Sequence, residues 1–414
     1  MNAAPILVDF DDPDFDPFLS DDVVFGDLED TNERLVPLRD AAPVHRGQLL
    51  ELLDQRGDPN LATKPVFTVM SYAAVQRVLS DPVGFSNDAE LDSIGRTFGT
   101  SLTVMNAPQH PVYRRIFQRI FFPNQVAQWS SGFISPVING LIDRFADDGG
   151  TDLVETFTRN FPFGIIYRQL ALPERDIATF RRLAASLTMT WGGFINYGIE
   201  ASGKLGRYLA SLVEQRRSEP GNDLVSLLAT TEQDGERLPD DVVVSFLRQL
   251  LNAAGDTTYR ATGTLLTALL SSPEQFEAVK ADRELLPLAI DEALRWDGPV
   301  LFFRRQAARM VAIEGVEIPE GAVVEVATGA ANRDPKVYRD PARYDIRRER
   351  VRHFAFGSGP HVCLGQHLAR LEMTHAIGAL LDRFPKLRLD PSHPKPVVKG
   401  VAIRAPRHVH VRFD

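Results

Sequence analysis

Apolar and polar positions along this chain follow two periods, and the helical one dominates. The run Pro65-Val66-Phe67-Thr68-Val69-Met70 predicts a strand. Ser71 to Leu79 then reads as a short helix, capped by Ser71 and stopped by Asp81-Pro82. Residues 87–104 show no clear period. Pro108 and Pro111 suit a helix start, with His110 and Arg114 four apart on one face. Residues 125–235 read as amphipathic helices broken at Gly149-Gly150, Pro173, Gly192-Gly193 and Pro220-Gly221. The longest pattern runs from Pro239 to Leu270 and ends at Ser271-Ser272-Pro273. At about 1.5 Å per residue it would span about 45–50 Å. A β-hairpin follows through Glu314-Gly315 and Pro319-Glu320-Gly321. Leu364 to Arg383 predicts one more helix, and alternating Val409, Val411 and Phe413 a terminal strand. The result is a mainly α-helical fold with small β-sheets.

Hydrophobic content of 44% and charged content of 24% are ordinary for a soluble globular protein with a large core. The 414 residues contain neither a linker-like stretch nor an internal repeat, so residues 31–414 read as one domain. Residues 1–30 are acidic, with Asp9, Asp11, Asp12, Asp14, Asp16, Asp21 and Asp22. They read as a surface-hugging or partly disordered tail with no chemistry implied. A net charge of −9 without a basic tract argues against nucleic acid as a partner. No run of 18 apolar residues and no basic-then-apolar N-terminus is present, so no membrane anchor and no export signal are expected. With a single cysteine, that fits a reducing cytoplasm.

That cysteine, Cys363, follows Phe356-Gly357-Ser358-Gly359-Pro360-His361-Val362 and precedes the helix beginning near Leu364-Gly365. Glycine and proline force a tight loop, and the helix N-terminus offers amide donors and a positive dipole end that favour a thiolate. A thiolate of this kind suits haem iron; a buried, inert free cysteine is the alternative. In the long helix, Leu250, Ala253, Ala254 and Thr257 share one face at i, i+3, i+4 and i+7. Small residues there leave room for something flat and bulky. Gly255, Asp256, Thr257 and Thr258 are poor helix formers, and such an interruption often marks a bulge at a functional site.

The pattern Phe356, Gly359, Cys363, Gly365 resembles the haem-binding loop of the cytochrome P-450 family, and three further motifs follow the family's order. The resemblance covers residues 60–413 and implies haem b held between the long helix and the loop, with Cys363 as axial ligand. It places Ala253, Ala254, Phe356 and Gly365 beside the haem. His110, Arg114, Arg305 (rather than Arg304) and His361 would meet its propionates. Asp256 and Thr257 match the family's acid and threonine, which deliver protons for oxygen activation. Ala254 departs from the usual glycine, and Gly255 takes the free position. Glu292, Arg295 and Arg348 match a buried network that braces the haem loop. Residues 87–104 would be a loop over the haem, and Leu187–Phe194 part of a mobile cover.

The implied reaction is insertion of one atom of O₂ into a hydrophobic small molecule. Leu250, Val300, Leu301 and Ile403 would line its pocket, with at least one of Phe302 and Phe303 a plain core residue. Side chains so apolar suit a terpenoid, steroid-like or aromatic substrate. No Gly-x-Gly-x-x-Gly follows a strand, so electrons must come from another protein. Six arginines against three acids between Arg339 and Arg352 offer a dock for an acidic ferredoxin. A peroxide-driven peroxygenase and a non-catalytic haem sensor are the alternatives.

Overall fold

The helix expected from Pro239 forms as Asp240–Leu270, continuous over 31 residues. In the computed structural model, which describes residues 17–172, 177–192 and 195–414, it is buried along most of its length. Asp240 and Asp241 in its first turn complement the positive end of the helix dipole. Around it pack the helices Phe161–Gln169, Ile177–Leu187, Ile195–Ser218, Leu286–Asp297 and Gln366–Arg383. No bulge interrupts residues 252–258. The polar side chains that predicted one are satisfied locally: Thr257 Oγ1 donates to the Ala253 carbonyl at 2.8 Å, and Arg260 holds Asp256.

Gly255 has a packing reason to be glycine. A Cβ there would lie 2.2 Å from Cε1 of Phe163, a ring buried in the helix Phe161–Gln169. The glycine thus serves contact between two helices, while neighbouring Ala254 turns toward a cavity on the other side. Gly255→Ala should cost about 1–3 kcal/mol in urea unfolding, the range for overpacking a tight core. A cost below 0.5 kcal/mol would show that the Phe163 ring moves aside freely.

A five-stranded sheet runs in the order Val44–Arg46, Val66–Val69, Val323–Val326, Phe303–Ala307, Phe85–Ser86. Ser71 caps the helix Tyr72–Ser80 by accepting from the Ala74 amide. In this sheet Glu325 faces Arg304 and Val324 faces Arg305, so adjacent arginines point to opposite sides. Arg304 pairs with Asp58 at 2.7 Å and Glu325 at 3.1 Å; Arg305 turns into the cavity. The terminal strand forms as His410–Arg412, between Arg388–Leu389 and Gly150–Asp152, with Val409 and Val411 buried beneath it.

Three expectations change. Residues 17–30 of the acidic segment are part of the fold rather than a tail. Phe18 packs edge-on against Tyr259, and Val401 donates a backbone hydrogen bond to Phe25. Asp21 is buried against Arg260. Residues 87–104 contain the short helical turns Asp88–Glu90, Leu91–Gly95 and Arg96–Phe98. Of the expected cover, Ile177–Leu187 and Thr188–Gly192 are helical, whereas Gly193 and Phe194 lie outside the described residues, as does Pro173.

Candidate active site

Backbone geometry fixes the cysteine loop. Gly357 and Gly359 both take φ of +69°, which L side chains rarely adopt. Gly359 also runs so close to the helix Tyr72–Ser80 that a Cβ would meet the Leu79 carbonyl oxygen at 2.1 Å. The Cys363 amide donates to the Phe356 carbonyl at 2.8 Å, closing the loop ahead of the helix Gln366–Arg383. Amides of Gly365 and Gln366 point at the sulfur, as the helix start predicts. Their effect is not the largest, however. Burial pushes the Cys363 thiol up, and these donors with Arg114 and Arg370 only oppose that rise. The helix terminus thus works against burial at this sulfur, and an iron cation bound there would favour the thiolate further. Cys363 is accessible only because it opens onto an internal cavity.

Across that cavity stands the long helix, presenting Leu250, Ala253, Ala254 and Thr257 as its spacing requires. Phe246, one turn earlier on the same face, joins them. The helical period extended by one step would have found it. Ile94, Phe98 and Leu102 close another side, from the segment in which no period was visible. Val300 and Ile403 form an isolated β-bridge and both line the cavity. Leu301 does not: it points into a separate core with Leu35, Leu49 and Met70, against Gly329. The isolated bridge turns Val300 inward, whereas Leu301 lies outside any strand and enters the neighbouring core. Phe302 belongs to that core, and Phe303 to the cavity.

Four cationic or donor groups meet at one edge. His110 and His361 stack with ring centroids 3.8 Å apart, beside Arg114 and Arg305. Among the described residues no carboxylate pairs with either arginine, and His110 Nε2 is buried with no partner. Burial drives His361 down to about 2 and His110 to about 4, with the neighbouring cations adding to the effect. Asn87 Nδ2 contacts His361 Nε2 at 2.7 Å. Glu90 acts on Arg305 through space but forms no ion pair with it, so two guanidiniums beside two imidazole donors suit an anion. A sulfur on one wall, small residues on the other and cations at the rim fit a haem with its two carboxylates. Phe356 and Gly365 line the same space.

Asp256 lies beside Thr257 but is engaged elsewhere. Arg260 grips its carboxylate at 3.0 and 3.2 Å, and Asp21 grips Arg260 from the other side at 3.0 and 3.1 Å. Burial raises the Asp256 carboxyl above its ordinary range, and Arg260 opposes this. Sequence reasoning missed Asp21 because its neighbours read as a solvated acidic run.

Glu292, Arg295 and Arg348 form the buried network that the family resemblance implied. Glu292 accepts from Arg295 at 2.7 and 2.8 Å and from Arg348 at 3.0 Å. Arg295 also donates to the carbonyls of Asn332, Pro341 and Arg343. The Asn332 side chain in turn accepts from the Phe354 amide at 2.7 Å, two residues before Phe356. The network thus reaches the base of the cysteine loop.

Comparison with known proteins agrees with this geometry. The family model for Cytochrome P450 matches residues 197–411. Cytochrome P450 monooxygenase PikC of Streptomyces venezuelae is 33% identical over 385 residues, covering 88% of each chain. The 6-deoxyerythronolide B hydroxylase of Saccharopolyspora erythraea is 32% identical, covering 83% of this chain and 84% of its own. Among solved structures, CYP109E1 of Bacillus megaterium in complex with testosterone superposes with a TM-score of 0.80 at 27% identity. It covers 94% of this chain and 100% of its own. The chain belongs to the cytochrome P450 family. It is a haem-binding monooxygenase of the bacterial type. Among the described residues no helix is long and apolar enough to cross a membrane.

Proposed function

We propose that this monooxygenase oxidises a compact hydrophobic molecule of the terpenoid, steroid-like or aromatic class, using electrons from a separate acidic ferredoxin-type protein. The apolar lining of the cavity carries the reading: Ile94, Phe98, Phe246, Leu250, Val300 and Ile403 offer burial and no charge. Such a wall binds through apolar area, at about 25 cal/mol per Å², and disfavours an unpaired polar group. The testosterone complex of CYP109E1 supports a steroid-sized guest. Haem, when bound, supplies the oxygen-activating and electron-transfer chemistry. Cys363 would ligate it, and His110, Arg114, Arg305 and His361 would hold its carboxylates. The apolar lining excludes water, while Thr257 and Asp256 would hold and pass protons at their Oγ1 and carboxylate oxygens. Retention of that pair favours monooxygenation over a peroxide-driven peroxygenase or a haem sensor. The test is substrate turnover with purified electron-transfer proteins, preceded by a spin-shift titration across a hydrophobic panel. Val300→Phe should weaken binding of the bulkiest ligand about 10-fold, since over-filling costs about 1–3 kcal/mol and about 1.4 kcal/mol is tenfold. Leu301→Phe, directed into the core, should instead lower stability. A charged hydrophile as the tightest spin-shifting ligand would refute the pocket.

Electron entry is read from the other side of the cysteine loop. Arg339, Arg343, Arg347, Arg350 and Arg352 are exposed, whereas Arg348 is committed to Glu292. Opposite charge speeds encounter and is screened by salt. Charge reversal at Arg347, Arg350 or Arg352 should slow reduction by an acidic ferredoxin several-fold at low ionic strength and little at high. Rates indifferent to both mutation and salt would make these arginines an ordinary solvated face.

A further inference from the structure

Outside the residues that line the haem cavity, the small C-terminal sheet gathers imidazoles and carboxylates. The strand His410–Arg412 pairs antiparallel with Gly150–Asp152, placing His410 directly opposite Asp152. Val409 and Val411 face the core, so His408 and His410 project together on the outer face. Asp152 is held before any ligand arrives: its Oδ1 accepts from the amides of Val154 and Val409 at 3.0 and 2.9 Å. That leaves Oδ2 toward His408 Nδ1, at 2.6 Å. One ligand atom from each of Asp152, His408 and His410 falls within 4.8 Å of the others. His393 stacks on His410 with centroids 3.8 Å apart, and Asp390 lies 3.4 Å from the His393 ring.

We infer that Asp152, His408 and His410 form a binding site for a divalent transition metal, zinc, nickel, cobalt or copper. Two imidazoles and one carboxylate are the donor set that such borderline ions prefer, whereas calcium and magnesium take oxygen ligands. Three protein ligands leave a coordination position for water, with His393 stacked beside the site. The site joins residues more than 250 apart in sequence, because the register of two strands brings them together. It is open to solution, since the His408 side chain is 60% exposed. An ion here would tie the C-terminal strand to the strand Gly150–Asp152 and stabilise the folded state in proportion to its occupancy.

The test uses the full haem-loaded chain, stripped by a chelator that leaves haem in place. Zinc should bind with one equivalent in isothermal titration and raise the unfolding temperature. His408→Ala and His410→Ala should each weaken zinc binding at least about 10-fold, a loss typical of disturbed metal sites. The ferrous carbon monoxide spectrum should be unchanged, showing that both variants still fold around haem. Added copper should give an electron paramagnetic resonance spectrum with nitrogen coupling in wild type, lost in the double variant. No saturable zinc binding up to about 100 µM, a free energy near −5.5 kcal/mol, would overturn the site. So would wild-type zinc affinity in either single variant.

Discussion

Cys363→Ala should abolish the far red-shifted Soret band that ferrous protein shows with carbon monoxide, and lower substrate turnover by more than about 100-fold. No other cysteine exists in the 414 residues to take its place. Leu364, Leu368, Ala369, Glu372 and Met373 also line that wall, and the Met373 thioether, the other sulfur there, is neutral and cannot supply the thiolate signature. The loop is independent of the sulfur: Gly357 and Gly359 hold their φ angles, and the Cys363 amide keeps its bond to Phe356. The rim cations remain as well, so haem carboxylates would still find His110, Arg114, Arg305 and His361. The variant is therefore expected to fold and retain some haem, yet lose the thiolate signature. An unchanged carbon monoxide band in the alanine variant would sink the assignment of Cys363 as ligand.

Sequence made some parts of this site legible and hid others for identifiable reasons. The long helix was visible because burial on one face repeats every 3.6 residues, and its ends were correct to within a residue. The cysteine loop was visible because its glycines are required by local backbone geometry. The family resemblance separated Arg305 from Arg304, and the strand supplies the physical reason, since its alternation sends the two side chains to opposite faces. Leu301 was placed in the pocket with its neighbours in the turn on the family resemblance, whereas the bridge from Val300 to Ile403, far apart in the chain, decides which side chain turns inward. Asp21 was hidden altogether. Nothing local distinguishes it from Asp22 beside it, yet one is buried against Arg260 and the other meets Arg407 near the surface. Pairings between distant segments carry no periodic signal. They decide which residue of an acidic run is structural.

That hidden acid leads to the largest stability effect expected here. Arg260 is 1% exposed and lies between two buried carboxylates, Asp256 on its own helix and Asp21 from the N-terminal segment. Tyr259 Oη donates to Asp21 at 3.3 Å, and Arg407 approaches it at 3.6 Å. Removing one partner of a buried ion pair costs about 3–5 kcal/mol, because the charge left behind has neither water nor a counter-ion. Arg260→Ala strands two carboxylates, so its cost should reach the upper end of that range in urea unfolding. Replacing all three charges together, as Asp21→Asn, Asp256→Asn and Arg260→Leu, should recover much of the loss. The pH dependence has a definite sign. Burial raises the folded Asp256 carboxyl, so over the window between its unfolded and folded values the native state binds more protons. This group's contribution to stability therefore falls as pH rises through that window, opposite to an ordinary salt-bridged aspartate, and Asp256→Asn should remove that slope. On the proposed relay the same geometry sets a kinetic requirement: Asp256 must leave Arg260 to serve Thr257, and Asp21 keeps Arg260 paired when it does. Asp21→Asn should then hold Asp256 more tightly and send more electrons to hydrogen peroxide, with substrate spin shift unchanged. If Arg260→Ala costs less than 1 kcal/mol and Asp21→Asn forms product per electron as wild type does, the triad neither supports the fold nor gates the acid.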